Sequence, residues 1–193
     1  GSNMKLSPQD INAKSDLFFT TAVVLTQLEI PIETVVQSAK LTKQNNAIFI
    51  LNPAPAASLP ENIFPLIDFI TPNENELELL SGVTIIDDSS IKLAAEKLLK
   101  KGIRNVIVTL GSRGSMLINN STTKHFPANK VKVVDSTAAG DAFNGAFASS
   151  ISEGHSIEEA IEFANRVASI AVTRMGAQSS MPYLSEINDL HIV

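Results

Sequence analysis

Two runs, Ala47-Ile48-Phe49-Ile50-Leu51 and Val106-Ile107-Val108-Thr109-Leu110, contain almost nothing polar. A strand with one wet face alternates apolar and polar side chains, so an unbroken run predicts a strand covered on both faces. Such strands belong to parallel sheets, whose crossovers need a dozen or more residues and are usually helices. The intervening segments supply them. Pro31 opens a predicted helix to about Asn45, and others are predicted at Glu74–Ser81 and Ser89–Lys101, the latter ended by Gly102. Two more follow at Asp141–Glu153 and Ile157–Arg174, where Ile161, Ala164, Ala168 and Ala171 recur at helical spacing. Ser7 and Pro8 have the cap and first-turn character of a short helix. Further strands are expected at Leu17–Phe19, Ala22–Leu25, Phe69–Thr71 and Lys132–Val134, with a hairpin pairing Met116–Asn119 and Thr123–Phe126. The prediction is an α/β fold with a mostly parallel sheet and right-handed crossovers. Its 193 residues suit one domain over 4–193, with Gly1-Ser2-Asn3 read as an expression scar.

Composition narrows the function. With no cysteine, disulfides, thiolate nucleophiles and cysteine-held metal clusters are excluded. Net charge is −5, so no basic face for nucleic acid is expected. No apolar stretch is long enough for a membrane span, and no secretory signal follows Met4, which predicts a cytoplasmic protein without membrane partners. His125, His155 and His191 share no ligand spacing and are read as surface or turn residues.

Ligands of parallel sheets sit beyond the carboxyl ends of the strands, so the segments there hold the candidate chemistry. Asp135-Ser136-Thr137-Ala138-Ala139-Gly140-Asp141 leads into a helix through small residues. Small side chains let backbone approach an anion, and the free N–H groups and dipole of a helix start attract one. Asp141 stands where it can accept a proton from an attacking hydroxyl. On chemistry alone a second reading is equally open, with Asp141 a first-turn acid favouring the dipole and the small residues serving close packing. Thr71-Pro72-Asn73-Glu74-Asn75-Glu76 also opens a helix, and its Asn73 and Glu76 have capping-box spacing. Thr109-Leu110-Gly111-Ser112-Arg113-Gly114 follows a strand and reads equally as an ordinary glycine turn.

The wording of these three segments, in this order, resembles the ribokinase-like carbohydrate kinases, whose usual motif is Asp-Thr-Thr-Gly-Ala-Gly-Asp. Here Ala138 replaces the commonest glycine, a version similar to the ribokinase subgroup. The resemblance implies a three-layer α/β/α sandwich and transfer of the ATP γ-phosphate to the 5-hydroxyl of D-ribose. Asp141 would be the base and a sugar contact, and Ala138, Ala139 and Gly140 the anion hole. ATP would meet Asn73, Thr109, Leu110, Gly111, Ser112, Arg113, Gly114, Gly140, Asp141 and Asn165. Glu76 would organise Mg²⁺ through water. Gln27-Leu28-Glu29-Ile30-Pro31 makes Glu29 a sugar-contact candidate. A potassium ion would be held by Asp135, Thr137, Ala171, Arg174, Gly176 and Ser180, mostly through backbone carbonyls.

The resemblance starts part-way through the family's pattern. The family's first strands, its lid and its Gly-Gly-Lys-Gly-Ala-Asn-like sugar loop have no counterpart here, so the chain is expected to be the C-terminal, nucleotide-binding portion. Little activity alone is expected from an open site, and an uncovered sheet edge predicts self-association, simplest as a homodimer. A related sugar or nucleoside kinase, or a non-catalytic nucleotide-binding module, remain alternatives.

Overall fold

The computed structural model describes residues 1–188. Its secondary structure is the expected α/β alternation: β1 (Val23–Thr26), α2 (Ile32–Gln44), β2 (Ile48–Leu51), β3 (Phe69–Ile70), α3 (Glu74–Ser81), α4 (Asp88–Lys100), β4 (Asn105–Thr109), β5 (Ser115–Asn119), β6 (Thr123–Phe126), α5 (Ala139–Ser152) and α6 (Ile157–Ala171). A short α1 (Pro8–Asn12) precedes them and α7 (Leu184–Asn188) follows. The six strands lie in chain order, and β1 through β4 are parallel. The short connections on either side of β5 leave room only for antiparallel neighbours. The described chain divides into two compact units, residues 1–108 with 116–124, and residues 109–115 with 125–188.

In the first unit α2 packs on β1 and β2. Phe49, Ile50, Leu51, Ile70, Val106, Ile107 and Val108 are buried, which is why these strands carry no polar alternation. On α4, Ile91, Ala94, Ala95 and Leu98 are buried at the spacing that puts them on one helical face. Asp68, below β3, is buried and takes Lys43, Arg104 at 3.0 Å and the Phe49 amide at 2.8 Å, leaving its charge compensated. The turn between Asn52 and Ala56 contains a cis Ala54–Pro55 bond.

In the second unit α5 and α6 pack along each other, and Phe143 and Phe147 stack with ring centroids 6.3 Å apart. Asn165 of α6 is buried, and its amide donates to Ser115 Oγ at 3.0 Å and to the Phe126 carbonyl at 3.2 Å.

Three expectations fail for identifiable reasons. Leu17–Phe19 lies in a 3₁₀ turn spanning Ser15–Phe19, with Phe19 exposed. Lys132–Val134 forms no strand: Val133 and Val134 are exposed, and the amides of Val134 and Asp135 donate to the Val172 carbonyl. Finally, α6 stops at Ala171 instead of Arg174, with Val172 as its C-cap. His125 and His155 are exposed as expected, and His191 lies outside the described residues.

Candidate functional site

In the second unit, the segment 135–141 differs from the starts of α3, α4 and α6. Four helices carry reciprocal capping boxes: Ser7 with Asp10 on α1, Asn73 with Glu76 on α3, Asp87 with Ser90 on α4, and Ser156 with Glu159 on α6. Such boxes satisfy the N–H groups that a helix start leaves without intrahelical partners. No side chain caps α5. Its N-cap, Ala138, sits in the left-handed region at φ 59°, where an alanine is strained and a glycine is not. The Ala139 amide turns back to the Ser136 carbonyl at 3.2 Å. Gly140 is exposed, and a Cβ placed on it would meet no heavy atom within 4 Å, so the start of the helix opens onto free space. Asp141, in the first turn, is exposed beside that opening and lines a groove of about 510 Å³ with Gly145, Ala146, Val167, Leu184 and Ile187.

The loop ahead of the cradle is tied down by one carboxylate. Asp135 accepts the Thr137 amide at 2.9 Å on one oxygen and the Gly176 amide at 2.9 Å on the other. The Thr137 hydroxyl and these two amides hold its pKa down to about 2. Three of the predicted cation residues, Asp135, Thr137 and Gly176, are therefore joined in one network. Of the other three, Ala171 is buried and its carbonyl accepts the Arg174 amide at 3.2 Å. The Arg174 guanidinium pairs with Glu186 at 2.5 Å, which lowers the Glu186 pKa. Ser180 is buried and its hydroxyl donates to the Ala177 carbonyl at 2.7 Å.

The turn after β4 is equally constrained. Gly111–Arg113 form a 3₁₀ turn closed by the Leu110 amide donating to the Gly114 carbonyl at 2.8 Å. Thr109 is half-buried ahead of it, while Gly111, Ser112 and Arg113 are exposed. A Cβ on Gly114 would lie 2.1 Å from the Phe126 carbonyl oxygen, so no other residue fits there. His125 Nε2 lies 2.7 Å from the Arg113 carbonyl. Asn165, expected near adenine, has both amide donors engaged within this unit.

In the first unit, Asn73 and Glu76 adopt the capping arrangement their spacing allows. The Glu76 amide donates to Asn73 Oδ1, and the Asn73 amide to Glu76 Oε2, each at 2.9 Å. Glu76 is buried, and burial raises its pKa against the lowering effect of the Asn73 bonds. Glu29 is exposed in the bend after β1.

Among the described residues no cluster of three or more His, Cys, Asp or Glu side chains can hold a metal. A cation here would need backbone carbonyls, water or a ligand's own oxygens to complete its shell. The donors present suit that: an ionised Asp135 in a loop rich in carbonyls, and a buried carboxylate on Glu76 that a nearby cation would help ionise. Sequence reasoning missed the Arg174–Glu186 pair, the Ser115 partner of Asn165 and α7, whose residues Leu184 and Ile187 wall the groove. None of these carried a local sequence signal, because each depends on partners distant in the chain.

The model of the pfkB family of carbohydrate kinases matches residues 1–184. A ribokinase of Staphylococcus aureus is 39% identical over 191 residues, 98% of this chain and 63% of that protein. The crystal structure of a ribokinase from Thermotoga maritima, 45% identical, superposes with a TM-score of 0.88 over 96% of this chain and 61% of its own. The Arabidopsis thaliana ribokinase complexed with ribose and ATP, 34% identical, gives a TM-score of 0.88 over 92% of this chain and 58% of its own. The chain thus spans about three fifths of the proteins it matches. It belongs to the pfkB family of carbohydrate kinases and has their ribokinase-like α/β fold.

Proposed function

We propose that this chain is the nucleotide-binding portion of a ribokinase, which moves the γ-phosphate of ATP to the 5-hydroxyl of D-ribose. The observation that carries the reading is the start of α5: unlike α3, α4 and α6 it has no side-chain bond from its N-cap residue, and its Gly140 opens onto free space beside Asp141. Phosphoryl transfer asks the protein mainly for positioning and for neutralising charge. In this reading the backbone at Ala138, Ala139 and Gly140 receives the phosphate oxygens that become more negative as the bond to the leaving ADP breaks. Asp141 accepts the proton of the sugar hydroxyl as its oxygen bonds to the γ-phosphorus. The 109–114 turn and Asn165 border the nucleoside, Asn73 meets phosphate, and Glu29 holds the sugar.

Mg²⁺, when bound, neutralises the phosphate charge, and Glu76 is the residue that would organise its water shell. Potassium would belong to the 135–137 and 171–180 segments, where the ionised Asp135 supplies negative charge and main-chain carbonyls suit a hard cation. Self-association and a cytoplasmic setting complete the proposal. They agree with an edge strand at β1 and with the absence, among the described residues, of any helix long and apolar enough to cross a membrane.

The test is a ribose-dependent ADP-release assay on this chain, beside calorimetry with a non-hydrolysable ATP analogue. Ribose-dependent turnover that falls ~10²–10⁴-fold in Asp141→Asn, with analogue affinity kept, supports the reading. Unchanged turnover in that variant removes Asp141 as base. Analogue binding with no turnover on any sugar favours a nucleotide-binding module.

A further inference from the structure

At the carboxyl end of the sheet in the first unit, the ladder between β1, β2 and β3 stops and three loops begin. Backbone groups there must find new partners or remain buried and unsatisfied. One side chain meets that need. Asn52, directly after β2, is 7% exposed. Its own amide continues the ladder to the Thr26 carbonyl at 2.9 Å. Its side-chain Nδ2 donates to the buried Thr71 carbonyl at 3.2 Å, and its Oδ1 faces Gln27 Nε2 at 3.4 Å. Two residues on, the Ala54 carbonyl takes the Leu28 amide at 2.8 Å.

These bonds join two segments far apart in sequence. Leu28 adjoins Glu29, and Thr71 begins the loop to Asn73. Only an amide of this length has a donor for the Thr71 carbonyl and an acceptor for the Gln27 side chain on one short stem. We infer that Asn52 is a positioning residue that fixes the Gln27–Glu29 loop against the Thr71–Asn73 loop, so that nucleotide bound at one is felt at the other. The inference rests on the reading above, in which Asn73 meets the nucleotide and Glu29 the sugar.

The test follows backbone amide resonances of the ¹⁵N-labelled chain as Mg²⁺ and a non-hydrolysable ATP analogue are added. The inference expects shifts at Thr71–Asn75 and also at Leu28–Ile30. In Asn52→Asp, which keeps the size and the acceptor but loses the donor to Thr71, the first set persists and the second is lost. Should that variant fail to fold, Asn52→Ser, too short to reach Thr71, takes its place with the same expectation. A wild-type response confined to 71–75 overturns the inference and leaves the nucleotide site standing. Persistence of both sets in a folded Asn52 variant also overturns it. No response anywhere overturns the nucleotide reading and this inference together.

Discussion

The starts of α3 and α5 carry similar sequence signals and have opposite local chemistry. Both follow a family motif, and both place an acid in the first turn. At α3 the chain answers its own needs: Asn73 and Glu76 satisfy each other's amides, and the carboxylate is buried. At α5 the N-cap is a strained alanine that offers no side-chain bond, and the space beside Gly140 is open. An acid near a helix start therefore says little by itself. What separates a structural cap from a candidate anion cradle is whether the N-cap side chain already occupies the helix start.

The sharpest way to break this comparison is to fill the cradle. Gly140→Val adds a side chain where nothing stands within 4 Å, so the fold should persist. Affinity for an ATP analogue should fall at least about tenfold, because the added side chain keeps the phosphate from the backbone N–H groups. Calorimetry on the folded variant checks this, and unchanged affinity would move the phosphate elsewhere. At the other helix the prediction inverts. Asn73→Ala should lower unfolding stability by about 1 kcal/mol through the lost cap, measured by urea denaturation, and affect nucleotide affinity less than Gly140→Val does.

Ala138→Gly relieves the left-handed alanine and should raise stability by about 1 kcal/mol or somewhat less, read as a higher midpoint in the same denaturation. Smaller effects concern the two carboxylates. Burial raises the Glu76 pKa, so its stabilising contribution is present at low pH and declines as pH rises through that raised value. Glu76→Gln should therefore be neutral or slightly stabilising near pH 7, while weakening Mg²⁺-dependent nucleotide binding. The sign reverses for Asp135. Its pKa is lowered to about 2, so its contribution is present above the ordinary carboxylate range and is lost as pH falls toward 2. Asp135→Asn should remove that part of the acid dependence, seen by following the Gly176 amide during acid titration.

Much of the fold was legible because it rests on periodicity. Burial on both faces left β2 and the Val106–Val108 centre of β4 without polar residues, and the α3 boundaries follow from Asn73 at the N-cap and Gly82 at φ 65° beyond the end. Val133 and Val134 look like strand residues locally, but their segment bonds to Val172, a partner remote in sequence that no local pattern reveals. The same limit applies at the candidate site. The small residues of the 138–140 segment were readable, whereas the bond from Gly176 to Asp135, 41 residues away, was not. Nor was the burial of Asn165, because its partners Ser115 and Phe126 come from other elements.

The most direct test of the central claim compares the two helix starts in one spectrum. On adding a non-hydrolysable ATP analogue with Mg²⁺, the amide signals of Gly140 and Asp141 should move saturably and by more than those of Glu74–Glu76. In Gly140→Val that movement should vanish. Saturable movement at the α3 start with none at Gly140 and Asp141 would contradict the account.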